Sequence, residues 1–207
     1  MKSLFINTAT KKIVIAIVVN DEIQYLYSKN NTGDLSINLM GIVDEAFKKV
    51  KIKPNDIDTI FVTNGPGSFT GIRIGLTVAK VMAWGLKIKV IPISSLELMA
   101  ATKTDKKYIA PLIDARRDYV FAGLYDSKLN PVIMDSYVLL GDFKKEINNK
   151  DVFYVSDDKF DFEVNESNYD ILKVINKHKN DEGVNPHKLN PNYLKKTEAE
   201  EKLNESR

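Results

Sequence analysis

The sequence predicts an α/β protein in which helices pack on a mixed sheet. Three observations carry this. Three short apolar strands follow one another before helix and strand begin to alternate. A Gly-Pro loop at residues 64–71 joins an apolar strand to a long apolar helix. The second half of the chain opens again on a pair of strands, as a duplicated fold would.

Taken in order, residues 2–9, 13–19 and 23–28 read as strands joined by short turns at Thr10-Lys11-Lys12 and Asn20-Asp21-Glu22. A helix over 34–50 follows. Its inner face is Leu35, Leu39, Ile42, Val43, Ala46, Phe47 and Val50 at helical spacing, with Ile37 and Met40 off that face. A strand at 59–63, the loop, a helix over 70–86 and a strand at 88–92 come next. Ser94-Ser95-Leu96-Glu97 has the form of a helix cap with an acid in the first turn, opening a short helix to Ala101. Strands at 108–113, 119–125 and 132–140 begin the second half. An acidic, irregular stretch over 148–168 holds one strand at 152–155, and a helix over 169–178 follows. The chain then turns polar and ends in a charged tail expected to fray. Residues 1–102 are expected to form one lobe and 103–207 a second, with the tail returning to the first.

The loop Asn64-Gly65-Pro66-Gly67-Ser68-Phe69-Thr70-Gly71 and the following Arg73 form the most distinctive segment. Its glycines and proline require a sharp turn and a close backbone approach. Ser68 and Thr70 both suit the N-cap of the next helix, because a hydroxyl oxygen accepts an unpaired amide of the first turn. Bare amides at a helix start can also hold an anion. A phosphate loop, however, needs Gly-Lys-Ser/Thr, and no lysine lies between Thr59 and Thr77. The dinucleotide fingerprint is missed by one residue, and no acid follows the helix until Glu97. A structural or interface role is the stronger reading.

The helix after the loop is apolar almost all round, broken mainly by Arg73, Thr77 and Lys80. Gly71, Gly75, Ala79 and Ala83 recur every fourth residue and make a row of small side chains, which reads as a seat for another helix. The two early helices together carry more apolar surface than one sheet uses, so a partner-protein interface is expected. The residues assigned to it are Leu39, Ile42, Val43, Ala46, Gly71, Ile74, Gly75, Val78, Ala79 and Met82.

Composition bounds the chemistry. The 207 residues suffice for one large domain or two small ones without disulfides. No cysteine is present, which excludes thiol chemistry and cysteine-based zinc sites. Thirty basic and 28 acidic residues leave a net charge of +2, too little to drive nucleic-acid binding by this chain alone. The two histidines, His178 and His187, are nine residues apart in a polar segment and are expected to be exposed. No metal site, cofactor or catalytic residue is assigned. The apolar N-terminus is too short for a signal segment and no run spans a bilayer, which points to the cytoplasm. Asp114-Ala115-Arg116-Arg117-Asp118 lies in a turn between strands. It is either a local salt-bridge cluster or a set of polar contacts in which Asp114, Arg116 and Arg117 meet a partner's carboxylate or a phosphate.

These residues resemble the TsaB (YeaZ) family. Residues 64–75 are similar to its signature over the whole length, and Ile93-Ser94-Ser95-Leu96-Glu97 and Leu112-Ile113-Asp114-Ala115-Arg116-Arg117 resemble its next two blocks. Asn190-Pro191-Asn192-Tyr193-Leu194-Lys195 is similar to its C-terminal Pro-x-Tyr-Leu-Arg, with lysine in the last place. The resemblance implies two ribonuclease-H-like lobes of the acetate kinase/sugar kinase/actin (ASKHA) fold. It further implies a non-catalytic scaffold that works with TsaD and the ATPase TsaE to make threonylcarbamoyladenosine in tRNAs reading codons that begin with A. In that family the first two helices grip TsaD, tRNA is met only through the complex, and the isolated protein is expected to self-associate. An ATP-dependent or glycopeptidase-like enzyme of the same fold is the alternative. Two departures stand out: Asn7 where the family ends its first strand in Asp-Thr, and Leu35-Ser36-Ile37 where it often has His-Ser-Glu.

Overall fold

A computed structural model describes residues 1–31, 33–148 and 150–195. The strands are β1 (Lys2–Asn7), β2 (Lys12–Val19), β3 (Glu22–Asn30), β4 (Thr59–Gly65), β5 (Lys89–Ser94), β6 (Tyr108–Asp114), β7 (Tyr119–Asp126), β8 (Pro131–Leu139) and β9 (Val152–Val155). The helices are α1 (Leu35–Val50), α2 (Phe69–Leu86), α3 (Ser95–Ala100), α4 (Leu140–Ile147) and α5 (Ile171–His178). Short 3-10 turns occupy Pro54–Asp56 and Pro186–Lys188.

The first sheet has the order β3-β2-β1-β4-β5, antiparallel through the meander and parallel from β1 to β4 to β5. The second runs β8-β7-β6-β9 and repeats that plan with one parallel strand fewer. Two such sheets are the doubled ribonuclease-H-like arrangement of the ASKHA fold.

The layering explains why the central residues of β1, β2 and β4 are apolar in continuous runs rather than at alternate positions. On one face Leu4, Ile6, Ile15, Ile17, Ile60 and Val62 pack under α1 and α2. On the other, Phe5, Val14, Ala16, Val18 and Phe61 meet α3 and α5, together with Ile109, Tyr125 and Val155 of the second sheet. Helices α3 and α5 are therefore a middle layer between the sheets, and every residue of α3 is buried. Beyond the second sheet, Phe143 and Ile147 of α4 close a third cluster on Ala110, Leu112, Val120 and Leu124.

Helix α4 is absent from the sequence expectation, and the region after residue 180 is more ordered than its polarity suggests. Val184 bridges Val90 on the open edge of β5, and Leu189 is buried in the core under α2. Residues 196–207, the greater part of the tail expected to fray, lie outside the described residues. No described helix is long and apolar enough to cross a membrane.

Candidate functional site

The motif loop turns on a cis Gly65–Pro66 peptide and ends at Ser68, the N-cap of α2, whose hydroxyl accepts from Gly71 N at 3.2 Å. The amide of Ser68 donates to the carbonyl of Ala9 at 2.8 Å. Two amides that could have faced an anion are thus used within the chain.

The row of small residues on α2 lies against the chain's own first strand segment, which corrects the expectation of a partner helix there. A Cβ built on Gly71 falls 2.0 Å from the carbonyl oxygen of Thr8, and one on Gly75 falls 2.2 Å from the Thr8 hydroxyl. That hydroxyl donates to Gly71 O at 2.7 Å, tying strand and helix at the point of contact. Ala79 and Ala83 continue the row into the core. Leu39, Val43 and Ala46 of α1 are buried in the same way. Six of the ten residues assigned to the interface, Leu39, Val43, Ala46, Gly71, Gly75 and Ala79, therefore face inward, because their spacing is that of the sheet-facing stripe. Ile42, Ile74, Val78 and Met82 are partly buried at the rim of that core.

The outward apolar surface comes from other positions. Ile37 is 79% exposed, Trp84 63%, and Met40 and Val81 are also open. Between the helices lies a mainly apolar groove of about 360 Å³, lined by Met40, Val43, Phe47, Val81, Met82 and Leu86 together with Asp44.

The larger cleft, about 680 Å³, lies between the lobes. It is lined by Lys11 and Lys12 from the β1–β2 turn and by Asp114, Asp157, Asp158 and Glu166 from the second lobe. Lys11 Nζ is 2.6 Å from Asp158, and Lys12 Nζ is 2.8 Å from Glu166 and 3.5 Å from Asp157. Lys12 also donates to Ser167 O at 2.7 Å. The Tyr169 phenol, pushed well above its ordinary pKa by burial and by Asp157, donates to Asp157 at 2.6 Å. Both lysines are spent on carboxylates of the opposite lobe, and the acids outnumber them. A polyphosphate entering here would have to displace these contacts.

Asn7 forms the floor beside this turn. Its buried amide donates to Lys12 O at 2.7 Å and Thr10 Oγ1 at 2.8 Å, and its oxygen accepts from Thr63 Oγ1 at 2.8 Å and Ala9 N at 3.2 Å. Every donor and acceptor of the amide is used. Among the described residues no group of three His, Cys, Asp or Glu side chains is placed to hold a metal ion.

In the β6–β7 turn Arg116, Arg117 and Asp118 have φ of 68°, 53° and 61°. Asp114 accepts from Arg116 N at 2.8 Å, so its carboxylate shapes the turn. Among the described residues neither guanidinium is within ion-pair range of a carboxylate. The local salt-bridge cluster therefore does not form, and both arginines are exposed.

His178 departs from expectation. Its ring is partly buried, with Nε2 2.8 Å from Glu97 and Nδ1 2.8 Å from Asp181. The Glu97 contact holds its pKa above the ordinary value. Burial alone would raise the Glu97 carboxyl, but hydrogen bonds from His178 and from Lys177 at 2.6 Å bring it below the usual range. Nearby, Asp135 accepts from Ser94 Oγ and from the Tyr125 phenol, and burial raises its pKa. These buried contacts join α5 and β8 to the N-terminal end of α3 along the seam between the lobes.

The sequence marks Tyr193 only as part of its C-terminal motif, yet it meets the motif loop. Its ring stacks on Phe69 at 5.2 Å, and its hydroxyl accepts from Arg73 Nε at 2.9 Å. The Arg73 guanidinium lies 4.0 Å from the Phe69 ring centre. One residue earlier, Asn192 N donates to Asn64 O at 2.7 Å.

Residues 32–164 match the family model described as TsaD: tRNA N6-adenosine threonylcarbamoyltransferase. The tRNA threonylcarbamoyladenosine biosynthesis protein TsaB of Bacillus subtilis is 36% identical over 155 residues, covering 73% of this chain and 68% of that protein. TsaB of Haemophilus influenzae is 30% identical over 124 residues, 57% of this chain and 51% of its own. The structure of YeaZ from Pseudomonas aeruginosa superposes with a TM-score of 0.77 at 20% identity, covering 93% of this chain and 99% of the other.

Proposed function

This chain belongs to the TsaB family of tRNA threonylcarbamoyladenosine biosynthesis proteins, and from that premise we propose that it is a non-catalytic subunit that scaffolds a TsaD-type transferase. The observation carrying this reading is the apolar surface left open on α1 and α2: Met40 and Val81 at the groove, with Ile37 and Trp84 exposed elsewhere on the same two helices. A lone subunit leaves such surface in water at about 25 cal/mol per Å², so a covering partner is favoured. The inward residues Leu39, Val43, Ala46, Gly71, Gly75 and Ala79 support that face from beneath, and Ile42, Ile74, Val78 and Met82 form its rim.

The cleft argues in the same direction. Its two lysines are already neutralised across the lobes, and Asn7, where the family ends its first strand in an aspartate, carries an amide with no free acceptor. In this reading TsaD carries the chemistry, TsaE supplies ATP hydrolysis, and tRNA is met through the assembled complex in the cytoplasm. The isolated protein self-associates through the same helices.

Size-exclusion chromatography of this chain with TsaD from the same organism tests the proposal, together with a tRNA modification assay with and without it. We expect co-elution, modification that depends on this chain, and loss of both on Val81→Glu. A wild-type chain that elutes apart from TsaD, or that hydrolyses ATP unaided, defeats the reading.

A further inference from the structure

The C-terminal segment 185–195 runs along α2 in the opposite direction. His187 meets Trp84 edge-on near the end of α2, Leu189 enters the core, Asn192 bonds Asn64, and Tyr193 stacks on Phe69 at the helix start. A Cβ on Gly65 would fall 2.8 Å from Asn192 O, so the loop is shaped to let this strap pass. Helix α2 therefore does not present its outer face alone. Helix and strap present one together.

That joint face has a consistent chemistry. Helix α2 carries Arg73 and Lys80 and the strap carries Lys188, while Lys195 lies over the Tyr137 ring of β8 at 5.2 Å; neither α2 nor the strap contains an aspartate or glutamate. Phe69 is 52% exposed and Tyr193 43% exposed, although they stack on each other. A contact serving only to hold the tail down would bury these rings. Here a guanidinium held over the Phe69 ring and hydrogen-bonded to the Tyr193 hydroxyl is left open to the outside, and Tyr and Arg are the types that carry most energy at protein interfaces.

We propose that Tyr193, with Arg73 and Phe69, anchors a carboxylate-bearing, apolar-flanked surface of the partner subunit, so that the C-terminal strap is part of the docking face. This rests on the scaffold reading above and names residues it did not include. Charge complementarity selects an acidic protein surface. Nucleic acid shares the cation and ring chemistry, but Val81 and Trp84, exposed further along the same helix, offer nothing to a phosphate backbone. A second copy brings the same cations from these elements.

Calorimetric titration of the same organism's TsaD into this chain decides, with unfolding midpoints recorded for each variant. Tyr193→Ala and Arg73→Ala are each expected to raise Kd about tenfold or more. Tyr193→Phe keeps the stack without the hydrogen bond and is expected to fall between. Raising the salt is expected to weaken the wild-type complex more than the Arg73→Ala complex. Wild-type Kd in both alanine variants overturns the proposal while leaving the scaffold reading intact. So does a loss confined to tRNA binding by the complex or to self-association. So, too, does a Kd that tracks the unfolding midpoint alone, with Tyr193→Phe equal to wild type. A wild-type chain that does not bind TsaD defeats the scaffold reading and this inference with it.

Discussion

The side-chain amide of Asn7 donates to the main-chain carbonyl of Lys12 at 2.7 Å, closing the turn that carries both cleft lysines. A carboxylate in its place is isosteric but has no proton to give and would set an oxygen against an oxygen. Asn7→Asp is therefore expected to cost about 1–3 kcal/mol in a urea unfolding titration. It is also expected to gain no magnesium-dependent ATP binding, since Thr63 and Ala9 already use the acceptor side.

The His178–Glu97 contact sets a pH dependence. The histidine pKa is raised, so its contribution is complete below its unfolded value of 6.5 and is lost as pH rises through the folded value. The Glu97 pKa is lowered, so its share is present above 4.5 and is lost as pH falls through the folded value. The stability difference between wild type and His178→Gln is expected to be greatest between those two values. It should shrink as pH is raised above 6.5, measured by urea unfolding at fixed ionic strength.

Two positions on α2 separate the inner row from the outer face. Gly75→Ala forces a methyl against the Thr8 hydroxyl and is expected to destabilise by about 1–3 kcal/mol, as overpacking does. Trp84→Ala, on the open side, gives up only its edge-on contact with His187 and is expected to cost no more than about 1 kcal/mol. Thermal melts of the two variants read the contrast directly, and equal losses would mean the helix is rotated from the orientation described.

Lys12 holds the lobes together through Glu166, Asp157 and Ser167 O. Lys12→Met keeps the aliphatic stem and removes the charge-assisted bonds, with an expected cost of about 1–3 kcal/mol. The wild-type advantage is expected to narrow at 1 M salt, where screening acts over about 3 Å. Denaturant midpoints at low and high salt check it.

Much of the fold is legible because its strands have apolar centres or sharp bounds: the strand at Val152–Val155 lies where the sequence places it. Helix α4 was missed because only Phe143 and Ile147 of its eight residues are buried, too few to show a period. The small-residue row correctly announced a close approach but could not say what approached, since an inward and an outward stripe have the same spacing. His178 and Glu97 lie 81 positions apart, and only the middle layer brings them together. The Tyr193 contact is invisible for the same reason, crossing 120 positions to Arg73.

Leu189 sits in a core otherwise built from residues 4 to 90. On a ribosome, that first unit would wait through the manufacture of about a hundred further amino acids before its last apolar gap could be filled. The packing beneath α2 is thus completed only once residue 189 has been made, so a chain that stops before it lacks this contact.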